Sequence, residues 1–312
     1  MATGATRRNL YLDQLNCWTL GFAMTSDPDI PDAVTPERLV AELRPLLPLA
    51  HVLARLQNLL SNPNSGLDDI AELIRLDAAM ATRIIQISNS VWYRRGLPCM
   101  SISEAINRVG FREIYKVVGV VASDSLVAQP LTAYGRTAVA AWRESVACAF
   151  AAELLAEQLG EDMAEAYMCG LLHLIGRLPI NQFLQSPGAP ARTLTEAGFP
   201  HEHSGAEFAL LGFTQANVGT IMATKLGFPP TVCLPIFHQY APQEAGEPHD
   251  RAAAMLYCAR LLAALANEKL TEGDVVLDEE ILGILRLSQE EVLAHLPELK
   301  TQIERAQLLA KV

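Results

Sequence analysis

The chain has 312 residues, half of which are apolar and 19% of which are charged. This composition excludes a disordered or low-complexity protein and allows a large buried core. The 24 Lys and Arg residues are outnumbered by 35 Asp and Glu, so the formal charge is −11. An acidic chain repels phosphate backbones, and we therefore expect no broad binding to nucleic acid. The longest uncharged apolar run, residues 252–259, is much shorter than the roughly 20 residues of a membrane span, so we expect no membrane association.

The cysteine pattern is typical of buried, reduced thiols in a cytoplasmic protein. The six cysteines are Cys17, Cys99, Cys148, Cys169, Cys233 and Cys258. No two of them form a Cys-x-x-Cys motif, and most lie in apolar stretches. Arg7 and Arg8 are followed by Asp13 and Asn16 instead of an apolar region, so we expect no signal peptide.

Helical periodicity dominates the sequence, and strand patterns are almost absent. Residues 1–33 form a weakly patterned leader. Thr35, followed by Pro36, predicts a helix start, and Asp77 and Ser103 are predicted N-caps of later helices. Helices are predicted over 51–60, 104–109, 112–128, 137–159, 162–176, 204–211, 214–226, 230–239, 250–268, 278–286 and 289–310.

The best candidate for a domain boundary lies near Pro130 and Tyr134-Gly135. It predicts an N-terminal helical subdomain over 34–130, a larger helical subdomain over 131–268 and a C-terminal helical extension over 269–312. No Gly/Ser-rich linker separates the first two, so we expect them to pack directly against each other. The predicted fold is all-α, with an N-terminal bundle of short helices packed on a larger bundle.

Several short strings follow one another in a recognisable order. They are Asn89-Ser90-Val91-Trp92-Tyr93, Ser101-Ile102-Ser103-Glu104-Ala105-Ile106, Trp142-Arg143-Glu144-Ser145, Gly170-Leu171-Leu172-His173 and Ile236-Phe237-His238-Gln239. In combination, over residues 42–265, the series resembles the HDOD family, the HD-related output domains of bacterial signalling proteins. The resemblance implies that the larger bundle is HD-like. Ala78 departs from the family, which usually has a proline directly after the aspartate that corresponds to Asp77.

The related HD phosphohydrolases bind divalent metals through histidines, a His-Asp pair and a distal aspartate, and a cation so held activates water. The resemblance places Glu144 at the first histidine, His173-Leu174 at the His-Asp pair, Gln215 at the next histidine and His238 at the start of the last pair. Leucine cannot bind a metal, and a glutamine amide is a poor ligand for a transition metal. We therefore predict no metal, no cofactor and no catalytic residue.

Two histidine sites have a structural and a functional interpretation. His173, in an apolar helix, is predicted to be a core residue that donates to a backbone carbonyl or a carboxylate, with Glu144 as one candidate. The alternative is a vestigial small-ligand pocket formed by Glu144, His173, Gln215 and His238. The string His201-Glu202-His203 is predicted to be a solvated loop that leads into a helix capped by Ser204, and weak surface zinc binding is its functional alternative.

The string Asn89, Ser90, Trp92 and Tyr93 is a candidate interaction surface at the junction of the two bundles. Its structural interpretation is a helix C-cap whose side chains satisfy free backbone groups, followed by two aromatics that cover an edge of the core. The sequence leaves both interpretations open.

The sequence thus predicts a non-catalytic bacterial regulatory module that acts through contacts with a protein partner. The first alternative is a divergent HD phosphohydrolase acting on a nucleotide or cyclic dinucleotide, which needs Glu144, His173, His238 and an aspartate such as Asp162 to assemble a metal site. The second is a small-ligand sensor that uses the vestigial pocket. The partner is not identified by the sequence, and a homodimer is left open.

Overall fold

A computed structural model describes residues 34–43, 48–62, 64–126, 129–187, 189, 192–199, 201–271 and 275–310. Within these ranges the chain is helical and has no β-strand apart from one isolated bridge, so the all-α prediction is confirmed. The predicted leader, residues 1–33, lies outside the described residues.

The first part of the chain forms short helices whose starts follow their capping residues. They are α1 (Pro36–Glu42), α2 (Pro48–Leu60), α3 (Leu67–Arg75), α4 (Ala78–Ser88), α5 (Ile102–Val109) and α6 (Phe111–Leu126). Thr35 caps α1 by accepting the amide of Arg38, and Asp77 caps α4 by accepting the amide of Met80 at 2.9 Å, both as predicted.

The predicted N-cap at Ser103 is wrong by two residues. The hydroxyl of Ser101 accepts the amide of Glu104 at 3.2 Å, and α5 begins at Ile102. Ser103 instead accepts a hydrogen bond from the guanidinium of Arg75 at 2.9 Å. The earlier start brings Ile102 into the helix, where its side chain packs against the core.

The second part of the chain contains longer helices and two short 3₁₀ turns, Thr132–Tyr134 and Pro242–Glu244. The helices are α7 (Ala138–Leu159), α8 (Met163–Leu172), α9 (Arg177–Leu184), α10 (Ser204–Leu211), α11 (Gln215–Leu226), α12 (Pro230–Phe237), α13 (Asp250–Ala266), α14 (Glu279–Leu285), α15 (Gln289–Leu293) and α16 (Leu296–Ala310). The single helix predicted over 289–310 is divided because Pro297 has no amide hydrogen to donate back to Leu293.

The two bundles share one continuous apolar core, as predicted. It contains Ile84 and Val118 from the first part of the chain and Ala147, Leu262 and Ile303 from the second. We therefore treat the two bundles as one packed unit, and the limits at 130/131 and 268/269 remain predictions.

Buried polar and aromatic groups also join α6 to α7 and α8. The rings of Tyr115 and Tyr167 meet edge to face at 5.2 Å, and Phe150 meets Tyr167 in the same way at 5.8 Å. The carboxylate of Glu153 accepts the hydroxyl of Tyr115 at 2.5 Å and pairs with the ammonium of Lys116 at 2.9 Å. Helix α6 is thus attached to the larger bundle by hydrogen bonds as well as by apolar contact.

Helix α1 packs on the larger bundle, although it precedes the first bundle in sequence. Its Leu39 belongs to a second apolar cluster with Ile180 of α9 and Val218 of α11. The amide of Gln182 donates to the carbonyl of Glu42 at 3.0 Å. These contacts place the start of the described chain beside α9 and α11.

The predicted burial is confirmed for Cys99, Cys148, Cys169, Cys233 and Cys258, and Cys17 lies outside the described residues. In the described part of the chain, no helix is both long and apolar enough to span a bilayer.

Candidate functional site

A buried ion network lies in the larger bundle, at the helices that carry the predicted site residues. It consists of Glu144 on α7, Arg177 at the start of α9, Glu202 before α10 and Arg260 on α13. Arg177 Nη2 lies 2.6 Å from Glu202 Oε2, and its Nη1 lies 3.5 Å from Glu144 Oε1. Arg260 Nη2 lies 3.2 Å from Glu202 Oε1. The two guanidinium groups thus flank one carboxylate, and Arg177 also reaches the second.

A partly exposed rim of charges closes the network on its solvent side. Lys269 Nζ lies 2.8 Å from Glu144 Oε2 and 3.9 Å from Glu196 Oε1. Arg136 pairs with Glu196, and its Nε lies 3.9 Å from Glu144 Oε2. The carboxylate of Glu144 therefore faces three cationic side chains.

These pairings determine the protonation state of both buried carboxylates. Burial alone raises the pKa of Glu202, but Arg260 and Arg177 outweigh that effect and hold the pKa well below its ordinary value. Burial likewise raises the pKa of Glu144, whereas Arg177 and Lys269 lower it further than burial raises it. Both groups are ionised near neutral pH, and their negative charge balances the arginines.

Each buried arginine also has neighbours that replace its lost water. The guanidinium of Arg260 lies 4.5 Å from the ring centroid of Tyr240 and donates to the carbonyl of Gln239 at 2.5 Å. The guanidinium of Arg177 lies 5.1 Å from the ring centroid of Tyr134. These contacts offset part of the free-energy cost of burying two charged side chains.

Two glycines, Gly170 and Gly176, allow close helix packing at the site. A Cβ on Gly170 would lie 2.5 Å from the carbonyl oxygen of Cys148 on α7. A Cβ on Gly176 would lie 2.6 Å from the amide of Gly219 and closer still to the carbonyl of Gln215, both on α11. The turn between α8 and α9 therefore packs backbone to backbone on α11. The helix predicted over 162–176 ends before this turn, at Leu172.

Helix α9 was not predicted from the sequence, and Pro179 lies in its first turn. It is the third residue of the helix, where the missing amide hydrogen costs nothing. The omission matters because α9 carries Arg177, the residue that links both buried carboxylates.

His173 is a buried core residue whose ring contacts a backbone carbonyl. Its Nδ1 lies 2.6 Å from the carbonyl oxygen of Gly170, and its own carbonyl accepts the amide of Gln239 at 2.9 Å. Burial, with Arg260 adding to it, lowers the pKa of His173 to about 4. The contact with Gly170 supports the core interpretation, with a backbone carbonyl as the partner and not the candidate Glu144.

Gln215 belongs to a neighbouring group of hydrogen bonds. Its side-chain amide donates to the hydroxyl of Tyr240 at 3.0 Å, and its backbone amide donates to Glu207 Oε2 at 2.7 Å. Tyr134 donates to the other oxygen of Glu207 at 3.0 Å. Burial raises the pKa of Glu207 despite these donors and Arg177.

His238 lies at the end of α12. Its ring packs against Phe237 at 4.9 Å, and burial together with nearby His249 lowers its pKa to about 4. Among the described contacts, none joins His238 to Glu144, His173 or Gln215. The vestigial pocket of Glu144, His173, Gln215 and His238 therefore stays a prediction.

The prediction of a solvated loop at His201-Glu202-His203 is wrong. Only His201 is exposed, whereas Glu202 and His203 are buried. Glu202 has a left-handed backbone, with φ of 43°, and its carboxylate binds Arg177 and Arg260. The N-cap of α10 is His203 and not Ser204. The charge of distant arginines, which the local sequence does not show, draws this segment inward.

The donor set does not fit a divalent metal. Its two buried carboxylates, Glu144 and Glu202, are paired with guanidinium and ammonium groups. Within the described residues, no group of three or more His, Cys, Asp or Glu side chains could hold a metal ion. Asp162, which the phosphohydrolase alternative needs, instead caps α8 by accepting the amide of Glu165 at 2.9 Å.

The Asn89 string divides into an inward and an outward part. The side-chain amide of Asn89 donates to the carbonyl of Cys99 at 2.9 Å, and its oxygen accepts the amide of Cys99 at 2.7 Å. The same oxygen accepts a hydrogen bond from Arg108 at 2.9 Å. Ser90 is half-buried, and Tyr93 packs under Arg305, whose guanidinium lies 4.8 Å from its ring centroid. Asn89 thus closes the loop 90–99.

The outward part presents a group of large apolar side chains to solvent. Val91 is 94% exposed, Leu97 85%, Met100 83% and Trp92 51%. We call these four residues the apolar loop. Only Trp92 was singled out from the sequence, because isolated Val, Leu and Met residues give no local signal of exposure.

Replacing Asn89 by alanine is expected to lower the free energy of unfolding by about 2 kcal/mol, because the backbone amide and carbonyl of Cys99 lose their partners. Chemical denaturation followed by circular dichroism measures the loss. Ser103→Ala, which removes one exposed hydrogen bond to Arg75, is the control and should cost less than about 0.5 kcal/mol. An Asn89→Ala variant as stable as the parent would contradict the structural role.

Comparisons with known proteins agree with this fold. A family model described as the HDOD domain matches residues 46–242. A proposed signal transduction protein from Marinobacter aquaeolei VT8 superposes with a TM-score of 0.66 at 22% identity, covering 98% of this chain and 65% of that one. An HDOD domain protein of unknown function from Geobacter sulfurreducens gives 0.65 at 18% identity, covering 87% and 96%. A proposed phosphohydrolase from Shewanella amazonensis SB2B gives 0.61 at 22% identity, covering 88% and 97%. At these identities the similarity establishes the fold alone.

One sequence relative is an uncharacterised protein from Treponema pallidum (strain Nichols), 30% identical over 128 residues. The match covers 40% of this chain and 24% of that protein. The chain therefore spans about a quarter of that relative and about two thirds of the Marinobacter protein.

Proposed function

The chain belongs to the HDOD family, and from that premise we propose that it is a non-catalytic regulatory module of bacterial signal transduction that acts through contacts with a protein partner. One observation carries the proposal. In the buried ion network, Arg177 pairs with Glu202 and with Glu144, the residue that the family resemblance places at the first metal-binding histidine of HD phosphohydrolases.

The energetics of the network support an inactive site. A metal would have to displace Arg177 from two carboxylates and leave its guanidinium buried without a counter-ion. Breaking a buried ion pair in that way typically costs several kcal/mol. Hydrolysis in HD enzymes needs a cation that activates water, and the residues present offer it no place.

The apolar loop supports the proposed mode of action. Large apolar side chains grouped on a surface typically mark a site of contact with another protein. Val91, Leu97 and Met100 are more than four-fifths exposed, and Asn89 holds the loop that carries them in one conformation. We therefore place the partner contact on the apolar loop.

Replacing Leu174 by aspartate, which restores the missing carboxylate of the His-Asp pair, is expected to yield no activity. Leu174 is 6% exposed, and a buried carboxylate without a counter-ion is expected to destabilise the fold by about 2 kcal/mol. Stability is measured by urea denaturation, and hydrolysis of bis-p-nitrophenyl phosphate is assayed with added manganese.

Leu174→Asn is the matched control, since it has the same shape without the charge. Manganese-dependent hydrolysis by Leu174→Asp, absent from Leu174→Asn, would overturn the proposal and indicate a dormant phosphohydrolase site.

A further inference from the structure

A cavity of about 430 Å³ lies where α5, α6, α7 and α16 meet, beside the apolar loop. Its apolar lining comes from Val117, Val120 and Phe150, and Trp92 and Tyr93 form an aromatic side. The volume falls within the range of about 300–1,000 Å³ that is typical of small-molecule sites. This cavity is separate from the buried ion network.

The cavity carries more positive than negative charge, in contrast to the chain as a whole. Its cations are Arg95, Arg108, Lys116 and Arg305, and its carboxylate is Glu113. Glu113 pairs with Lys116 at 2.9 Å, and no carboxylate of the described residues forms an ion pair with any of the three arginines. Three guanidinium groups around one cavity are an arrangement suited to an anion.

Two of the three arginines, Arg108 and Arg305, form contacts with neutral groups. The hydrogen bonds of Arg108 go to neutral oxygens, the carbonyls of Ser88 and Leu97 and the amide of Asn89. The guanidinium of Arg305 lies 5.4 Å from the ring centroid of Trp92, and its buried Nε has no hydrogen-bond partner. A ligand with oxygen acceptors could satisfy that donor.

Two further groups indicate what else the ligand contains. Trp92 is half-exposed and offers a flat surface for stacking. The side-chain oxygen of Gln302 is buried without a donor, while its amide donates to Glu298 at 3.2 Å. A flat ring that bears N–H groups could stack on the tryptophan and donate to this oxygen.

We propose that this cavity binds a nucleoside phosphate, with the phosphate among the three arginines and the base beside Trp92 and Gln302. The walls of the cavity come from both bundles and from α16, so a bound nucleotide bridges elements that are distant in sequence. The cavity shares Trp92 with the apolar loop, and its remaining lining residues lie outside that loop.

Isothermal titration calorimetry of the full chain with AMP and GMP tests the proposal, with adenosine, ribose 5-phosphate, inorganic phosphate and a hexaglutamate peptide as comparisons. At least one of the two nucleotides is expected to bind more than tenfold tighter than every comparison compound. No binding of either nucleotide, equal binding of phosphate or ribose 5-phosphate, or preferential binding of the acidic peptide would overturn the proposal.

Variants locate the site. Arg305→Gln and Arg95→Gln are each expected to weaken nucleotide binding at least tenfold, and Arg95 is exposed, so its loss should leave the fold intact. Arg94→Gln, at an exposed arginine outside the cavity lining, should change affinity less than twofold. Equal effects of Arg95→Gln and Arg94→Gln would place binding elsewhere and overturn the assignment.

Discussion

Replacing Glu202 by glutamine is expected to lower the free energy of unfolding by about 3–5 kcal/mol, the typical cost of removing one partner of a buried ion pair. Arg177 and Arg260 are each no more than 2% exposed, and both lose the carboxylate that they share. A neutral amide can replace some hydrogen bonds but not the charge. Chemical denaturation at neutral pH measures the difference.

Glu196→Gln is the matched control, because Glu196 pairs with Arg136 and Lys269 on the partly exposed rim. Its loss should cost less than about 1 kcal/mol, as exposed ion pairs typically do. If the two variants lose equal stability, the buried ion network contributes no more than the rim, contrary to expectation.

The same pair of proteins should differ in the pH dependence of stability. The pKa of Glu202 is lower in the folded chain than its ordinary value of 4.5, because Arg260 and Arg177 outweigh the effect of burial. The folded state therefore binds fewer protons than the unfolded state, and stability is lost as the pH falls below about 4.5. Glu202→Gln should flatten this acid-side slope, whereas Glu196→Gln should retain it.

Replacing Gly176 by alanine is expected to cost about 3 kcal/mol, at the upper end of the usual range for overpacking. The added Cβ would lie 2.6 Å from the amide of Gly219, and both atoms nearest to it belong to the backbone of α11. Backbone in a packed helix cannot rotate away as a side chain can, so the turn must separate from α11. We expect a lower melting temperature and a weaker near-ultraviolet circular dichroism signal than in the parent chain.

Gly283→Ala is the control, because a Cβ on this helical glycine meets no atom within 4 Å. Alanine at an exposed helix position should raise stability by about 0.5–1 kcal/mol. A Gly176→Ala variant as stable as the parent would show that the close approach to α11 is not needed.

Local signals in the sequence predicted some of the helix starts, whereas contacts between residues distant in sequence determined the site. Thr35 and Asp77 were identified as caps because a cap depends on residues three positions away. The partners of Glu202 lie 25 and 58 positions away in sequence, and nothing near Arg177 or Arg260 reveals that they meet there. For the same reason the segment containing Glu202 was predicted to be solvated.

The candidate interaction string shows a similar limit. Its position at the end of a helix followed from the sequence, but which side chains face solvent did not. Asn89 faces inward to Cys99, whereas Val91 and Leu97 face outward. Exposure of apolar residues depends on how the loop closes, and that closure is a tertiary property.

Elemental analysis of the chain purified without chelator tests most directly whether the buried ion network has replaced the metal site. We expect less than about 0.1 transition-metal ion per chain, because the carboxylates of Glu144 and Glu202 pair with arginines and Leu174 offers no ligand. About one tightly held metal ion per chain, lost on replacing His173 by alanine, would contradict it.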